Sequence, residues 1–531
     1  MAAFLQRATE LTPDPSRRAV RALAAAQATL QAGAFETALR LLVSAGEGWM
    51  DDLHQARVEL LRAQIGFASG HGLESGPLLL DAARRLEPLD LDLARDTYVE
   101  AIAASQFGGR FGRMAGPDGT DALTGAAWAA RAAPAPVVRS KRDSLLDGIA
   151  VLFTDGYPQM VQPARAAIQA FSVANGTPEQ DDLRWLWHAA LLAVNLWDDD
   201  GWDVLTTRHV RIAREFGDLN QLLLVLAHRV MLNLFAGEIA TAGALDAEAK
   251  TISDATGAGL TEYGAMCLAA WRGRRDEATA LIVAGVEDAV NRGEGGGLST
   301  CHLASAVLWN GLSQYDDALE AAREATAYPG EYGIANWALP ELVEAAARTG
   351  RPELATDALG RLDLIATSAG TDWGLGLLAR SRALVTKGRA AEAAYQEAIE
   401  RLGRTRMRMD LARAQLVYGE WLRRAGQRQD ARGQLRTAYK MFSAAGAEGF
   451  ADRAGRELAA TGEVLDERTG RAGAGRDALT AQEAHIAELA GTGLTNAEIG
   501  AQMFLSQHTV EWHLRKVFAK LGITSRRQLR P

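Results

Sequence analysis

From Ser506 to Leu521 the side chains sort by helical angle into two faces. Val510, Leu514, Val517 and Leu521 recur at steps of four, three and four residues and line one face, which reads as a core seam. His508, Trp512, Arg515, Lys516 and Ala519 fall opposite, flanked by Glu511 and Lys520. A guanidinium such as that of Arg515 can donate two hydrogen bonds to the edge of a guanine, and an indole such as Trp512 can pack on a thymine methyl. Glu511 can accept from a cytosine amino group, or it can pair with Arg515 four residues on. Ser506, His508, Thr509, Lys516, Lys520, Ser525 and Arg526 have the hydroxyls and cations that suit phosphates. Glu511, Trp512 and Arg515 are therefore the expected base readers and the other seven the expected backbone contacts. His513 reads as a packing residue.

Such a face works only if short helices hold it. Three capping boxes mark helix starts: Thr480 with Glu483, Thr495 with Glu498, and Ser525 with Gln528. Ser506 reads as the N-cap of a further helix running to Leu521, and Gly491 and Gly493 as the end of the first. Four helices in about fifty residues, the second and third joined by the short turn Met503-Phe504-Leu505, describe a helix-turn-helix. The charge agrees. From Leu479 onward six basic residues face four acidic ones, net +2, which leaves −11 for the remainder of a chain whose total is −9. All six cations follow position 514. An acidic body with a basic tip excludes general coating of nucleic acid and concentrates phosphate binding at one end.

The string Leu479-Thr480, Glu483, Thr495-Asn496-Ala497-Glu498-Ile499, Ser506, Thr509-Val510, His513, Lys520-Leu521-Gly522-Ile523 and Arg526 resembles the LuxR-type DNA-binding domain of bacterial transcription regulators. The segment Asp410 to Phe450, with Tyr418-Gly419-Glu420-Trp421-Leu422, and the opening Leu11-Thr12-Pro13-Asp14-Pro15 are similar to the C-terminal half of the large ATP-binding LuxR-type regulators, the LAL family. The resemblance implies promoter binding by the C-terminal domain and a sensing or partner-binding role for the rest. Those regulators carry a nucleotide-binding module with a Walker sequence. This chain has no Gly-x-x-x-x-Gly-Lys-Ser/Thr, so ATP control is not carried over, and the chain reads either as a natural short form or as one lacking that module. Many LuxR-type domains dimerise through an extended last helix; this sequence stops at Arg530-Pro531, so the body is expected to supply any homodimer contact.

Nearly every segment from Pro15 to Ala460 shows apolar residues at helical spacing with few β-branched alternations. A glycine followed five residues on by alanine recurs at Gly33/Ala38, Gly237/Ala242, Gly273/Ala278, Gly350/Ala355, Gly388/Ala393 and Gly426/Ala431. With Ser313 as a turn position, the series 237, 273, 313, 350, 388, 426 steps by 36, 40, 37, 38 and 38 residues. A period near 38 means antiparallel helix pairs, glycine closing the first helix and alanine letting the second approach; each pair leaves an apolar face for the next, giving a solenoid with extended concave surfaces. The pairs are tetratricopeptide-like rather than strict. Between Gly108 and Gly201 the register is poor, and Gly108 to Gly119 reads as a mobile connector, not a phosphate loop, since no Gly-Lys-Ser/Thr follows. The expected organisation is all-α: residues 1–460 a tetratricopeptide-like repeat domain, 461–478 a glycine-rich flexible linker, and 479–531 a four-helix helix-turn-helix domain.

Other chemistries are not expected. Asp198-Asp199-Asp200 reads as a solvated helix end rather than a metal site. No arrangement of acid, base, nucleophile or metal ligands points to an enzyme, and no cofactor is expected. Two cysteines, Cys267 and Cys301, exclude a disulfide framework and favour a reducing cytoplasm. Met1 to Leu11 lacks the pattern of a signal peptide. The most apolar run, Leu222 to Leu234, is broken by His228 and Arg229 and is too short to span a bilayer, so no membrane partner is expected. The expected partners are double-stranded DNA and, through the body, RNA polymerase or another protein. The competing reading is a helical-repeat scaffold with a non-essential DNA-binding domain.

Overall fold

The computed structural model describes residues 2–46, 51–69, 72–114, 121–173, 179–256, 262–331, 333–463, 479, 481–503, 505–521, 523 and 525–529. Of the expected linker, residues 464–478 lie outside the described residues. The regular elements among the described residues are all helical. They pair as the period requires: Leu219–Ala236 packs with Ile239–Thr256, Ile334–Arg348 with Pro352–Ala369, Asp372–Val385 with Gly388–Gly403, and Arg408–Arg424 with Arg428–Ala445.

The turn positions carry the physics. Gly33, Gly237, Gly273, Gly350, Gly388 and Gly426 all take positive φ, and so does Ser313 at +63°. At Gly237 the turn closes with Gly237 N donating to the Leu234 carbonyl at 3.1 Å and Glu238 N to the Asn233 carbonyl at 2.8 Å, which returns the chain antiparallel. The partner alanines Ala38, Ala242, Ala278, Ala318, Ala355 and Ala431 are fully buried. Ala393 is the exception: it is exposed, because Gly388 is followed at once by helix Gly388–Gly403, whose inner face carries Ala391, Ala394 and Ala398 instead. Glycines on the first helices also bring backbones together. A Cβ at Gly419 would sit 2.6 Å from Leu435 Cγ, and one at Gly376 equally close to Leu402 Cγ.

The register does not fail between Gly108 and Gly201. Lys141–Thr154 packs with Tyr157–Ser172 across Gly156 (φ +94°), and Glu179–Asn195 with Asp199–Phe216 across Trp197 (φ +56°). The second turn is hidden in the sequence because a tryptophan holds the left-handed position, a strained place for a bulky side chain. The supposed mobile connector is partly pinned. Helix Leu91–Gly108 runs into a 3-10 turn Gly109–Met114, where Arg110 donates to Ser299 Oγ at 2.8 Å and Glu331 Oε2 at 3.1 Å and lies over the Tyr328 ring. Gly109 is required there, since a Cβ would meet Glu331 Oε1 at 2.5 Å. Residues 115–120 lie outside the described residues.

Helices ten places apart along the chain touch. Pro15–Gln31 meets Leu219–Ala236, Leu91–Gly108 meets Gly295–Gly311, Tyr157–Ser172 meets Pro352–Ala369, and Tyr263–Arg272 meets Glu448–Ala459. The superhelix therefore closes a turn every five pairs and packs turn on turn, which differs from the open concave surface expected of a loose solenoid. Ion pairs stitch the turns: Arg406 Nη1 lies 2.9 Å from Asp203 and Nη2 2.8 Å from Asp200, while Arg406 N donates to Asp199 at 2.9 Å. The three aspartates are thus not simply solvated, and Asp198 caps its helix by accepting from Gly201 N at 2.9 Å. Among the described residues no cluster of three or more His, Cys, Asp or Glu could hold a metal.

Three separate apolar cores result: one through most of the body from Ala56 to Leu458, a small one among the N-terminal helices (Ala22 to Ile65), and one in the C-terminal domain. The run that looked too short to span a bilayer belongs to the eighteen-residue helix Leu219–Ala236, which is long and apolar enough to do so by length and composition. His228 and Arg229 interrupt the apolar run without ending the helix. In the fold half of that helix is buried, its His228 accepts from Trp202 Nε1 at 3.2 Å, and its Arg229 pairs with Asp203.

Candidate nucleic-acid interface

The C-terminal domain contains helices Ala481–Gly491, Asn496–Met503 and Gln507–Leu521 and a 3-10 turn Arg526–Leu529. The fourth expected helix is thus a single short turn. Of the capping boxes, Thr480 lies outside the described residues. The Thr495 box forms: Thr495 N donates to Glu498 Oε2 at 2.6 Å and Glu498 N donates to Thr495 Oγ1 at 3.3 Å. These contacts hold the Glu498 carboxyl below its ordinary range. At Ser525 the backbone N donates to Gln528 Oε1 at 3.0 Å.

The tight turn depends on Gly500. Leu505 N donates to the Gly500 carbonyl at 2.8 Å, and a Cβ at Gly500 would lie 2.5 Å from the Leu505 carbonyl oxygen. Ser506 then caps the third helix, its Oγ accepting from Thr509 N at 3.1 Å and lying 2.7 Å from Thr509 Oγ1. Val510, Leu514 and Val517 are buried against Ile486, Ala490, Ile499 and Leu529. This seam fixes the helix rotation, so its other face must point away from the domain.

That face is open. Trp512 is 52 % exposed with the whole body present, and His508, Arg515 and Lys516 are exposed beside it. Lys516 Nζ sits 3.8 Å from the Trp512 ring centroid, a cation–π contact that keeps the ammonium beside the indole. Arg515 Nη2 donates to Glu511 Oε1 at 2.6 Å, and this bond lowers the Glu511 pKa. Both readings of Glu511 therefore meet in one place: it is partly exposed, and it holds Arg515. His513 packs edge-on against Trp512 with centroids 4.9 Å apart, and burial lowers its pKa. The side chain of Lys520 lies outside the described residues.

Arg526 is placed differently from the expectation. Its guanidinium donates to the Leu494 carbonyl, to Asn496 Oδ1 at 2.8 Å and to the Ala490 carbonyl at 3.3 Å. It is half-buried and ties the last turn to the loop between the first two helices. A sequence assigns a cation to phosphate by its charge; the backbone acceptors that capture it come together only in the fold. The first helix, Ala481–Gly491, also packs on helix Ile239–Thr256 of the body, a contact with no sequence signal.

Residues 477–530 match the family model described as "Bacterial regulatory proteins, luxR family". A Mycobacterium bovis protein described as an HTH-type transcriptional regulator is 39 % identical over 88 residues, covering 17 % of this chain and 10 % of that protein. The nitrate/nitrite response regulator protein homolog of Haemophilus influenzae is 42 % identical over 50 residues, 9 % of this chain and 24 % of that one. The matched region therefore spans about a tenth of the mycobacterial relative's length. Among solved structures the apo form of RapI aligns with 84 % of this chain and 99 % of its own at 11 % identity and a TM-score of 0.32.

Proposed function

We propose that this chain, which ends in a LuxR-type helix-turn-helix domain, is a DNA-binding transcription regulator acting in the cytoplasm without catalytic activity of its own. The observation that carries the reading is the exposure of Trp512, Arg515 and Lys516 on a helix whose opposite face is locked by Val510, Leu514 and Val517. A helix so held can enter a major groove with its outer side chains toward base edges. Arg515 and Trp512 read bases, and Glu511 either accepts from cytosine or aims Arg515. Lys516, Lys520, His508, Thr509 and the exposed Ser525 position the phosphates, while Ser506 serves both as cap and, through its hydroxyl, as a hydrogen-bond donor to a phosphate oxygen. Arg526 is reassigned to holding the domain together. The body, residues 1–460, engages RNA polymerase or another protein, and two copies bind together where the operator is two-fold symmetric.

The test is a selection of genomic fragments followed by salt titration of the recovered site. Each phosphate contact removed lowers the slope of log affinity against log salt by about 0.9, so Lys516→Ala is expected to flatten it by roughly that amount. Arg515→Ala is expected to lose about 1–3 kcal/mol of discrimination at one base pair. Equal, salt-insensitive recovery by wild type and both variants would overturn the reading. Restoration of a deletion strain by residues 1–460 alone would favour the scaffold alternative.

A further inference from the structure

Near the middle of the body four indoles, Trp197, Trp271, Trp337 and Trp373, wall a cavity whose polar lining is Arg380, Asp410 and Glu341, the last already engaged by Arg413 and Asn310. The cavity is narrow, with a free volume of about 20 Å³, roughly the room of one water molecule. Its polar atoms are lopsided. Arg380 is 1 % exposed, and its Nη1 donates to Asp410 Oδ1 at 3.1 Å. Its Nε and Nη2 meet no acceptor among the described residues, and neither do the Nε1 atoms of Trp197 and Trp337. Asp410 is already engaged at both oxygens, the second accepting from Trp373 Nε1 at 2.9 Å. Residues of the wall thus carry four buried N–H groups without acceptors among the described residues. Buried donors left so are costly and call for an oxygen.

The charge balance narrows what can bring that oxygen. Behind the cavity Arg348, Arg380, Arg413 and Arg453 interlock with Glu341, Glu344, Asp410 and Glu420. Four cations face four carboxylates, so an added buried charge would be uncompensated. The occupant must be neutral, flat enough to slip between indole faces, and oxygen-bearing. Trp197 is held in its left-handed turn at φ +56°, where most equivalent turns have glycine. Strain of this kind clusters at ligand-clamping sites.

We propose that this cavity binds a small neutral molecule with a flat apolar body and carbonyl-type oxygens, received by Arg380 and the Trp197 and Trp337 N–H groups. The ligand widens the slot by side-chain movement, for which the unbranched Met231 in the wall is suited. The site does not depend on the DNA-binding reading, because its test uses no DNA.

The experiment titrates the full chain with three molecules of similar size, acetophenone, ethylbenzene and benzoate, following melting temperature and tryptophan emission. Acetophenone is expected to raise the melting temperature and shift the emission. Ethylbenzene, which has no oxygen, should bind about tenfold more weakly, the loss of one well-made hydrogen bond. Benzoate, which adds a charge, should give no response. Arg380→Lys, which keeps a cation for Asp410, and Trp337→Phe, which keeps a ring, should each remove the preference for acetophenone over ethylbenzene. No response to any of the three, equal response to acetophenone and ethylbenzene, or strongest response to benzoate would overturn the proposal. The wild-type comparison of the three molecules decides the matter even if a variant fails to fold.

Discussion

A guanidinium carries five N–H groups, and two arginines of the C-terminal domain, Arg515 on helix Gln507–Leu521 and Arg526 in the turn after it, place them in opposite ways. Arg515 lies in solvent with one bond to Glu511, so most of its donors face solvent. Arg526 has three acceptors inside the domain. Arg526→Gln is therefore expected to destabilise the domain by roughly 2 kcal/mol through lost charged hydrogen bonds. The salt slope of DNA binding should be unchanged once the protein is folded. Thermal melting and the salt titration used for Lys516→Ala check both halves. A flattened slope for Arg526→Gln would return this residue to the phosphates. The outward set Trp512, Arg515 and Lys516 was legible from helical spacing alone. The role of Arg526 was not, because its acceptors at Ala490 and Leu494 lie more than thirty residues away in sequence.

At the scale of the element, glycine made the turns readable. Gly237, Gly273, Gly350, Gly388 and Gly426 announced a period because only glycine takes positive φ without strain. Trp197 concealed a turn of the same kind, and with it the continuity of the repeat. Ser313 gives a direct test. Its φ of +63° carries a penalty on the order of 1 kcal/mol, partly offset in a Ser313→Gly variant by the greater unfolded-state freedom of glycine. The variant is expected to melt slightly higher than wild type; a lower melting temperature would mean that the serine hydroxyl, which accepts from Arg456 at 3.3 Å, matters more than the backbone. In the C-terminal domain Gly500→Ala should have the opposite effect. The added Cβ would press on the Leu505 carbonyl and open the turn that sets helix Gln507–Leu521. Loss of helical signal from that domain on heating, with the body's transition unmoved, would show it.

Across the whole molecule, burial makes the body sensitive to acid. His188, His209 and His228 are pushed down by desolvation to about 4, about 3 and about 4. A histidine neutral in the fold but free to protonate near its usual value once unfolded stabilises above that value. Its contribution is lost as pH falls from about 6.5 toward the folded value. Asp96 and Asp246 act in the other direction, since burial raises each to about 6, and their cost is relieved as pH falls below that. The three histidines are shifted further than the two aspartates and outnumber them. The body's melting temperature is therefore expected to drop between pH 6.5 and 4.5, and His209→Gln should flatten the drop. An unchanged drop in that variant would place the acid sensitivity elsewhere.

Because several helices rest on the one ten places later, the number of repeats between those contacts is locked. In an open solenoid a duplicated or deleted pair leaves distant neighbours undisturbed. Here one extra pair would displace Arg406 from Asp200 and Asp203, Arg165 from the Ala369 carbonyl at 2.6 Å, and Arg110 from Glu331. Lineages that lengthen such a body should do so by whole windings of five pairs, or by growing at an end.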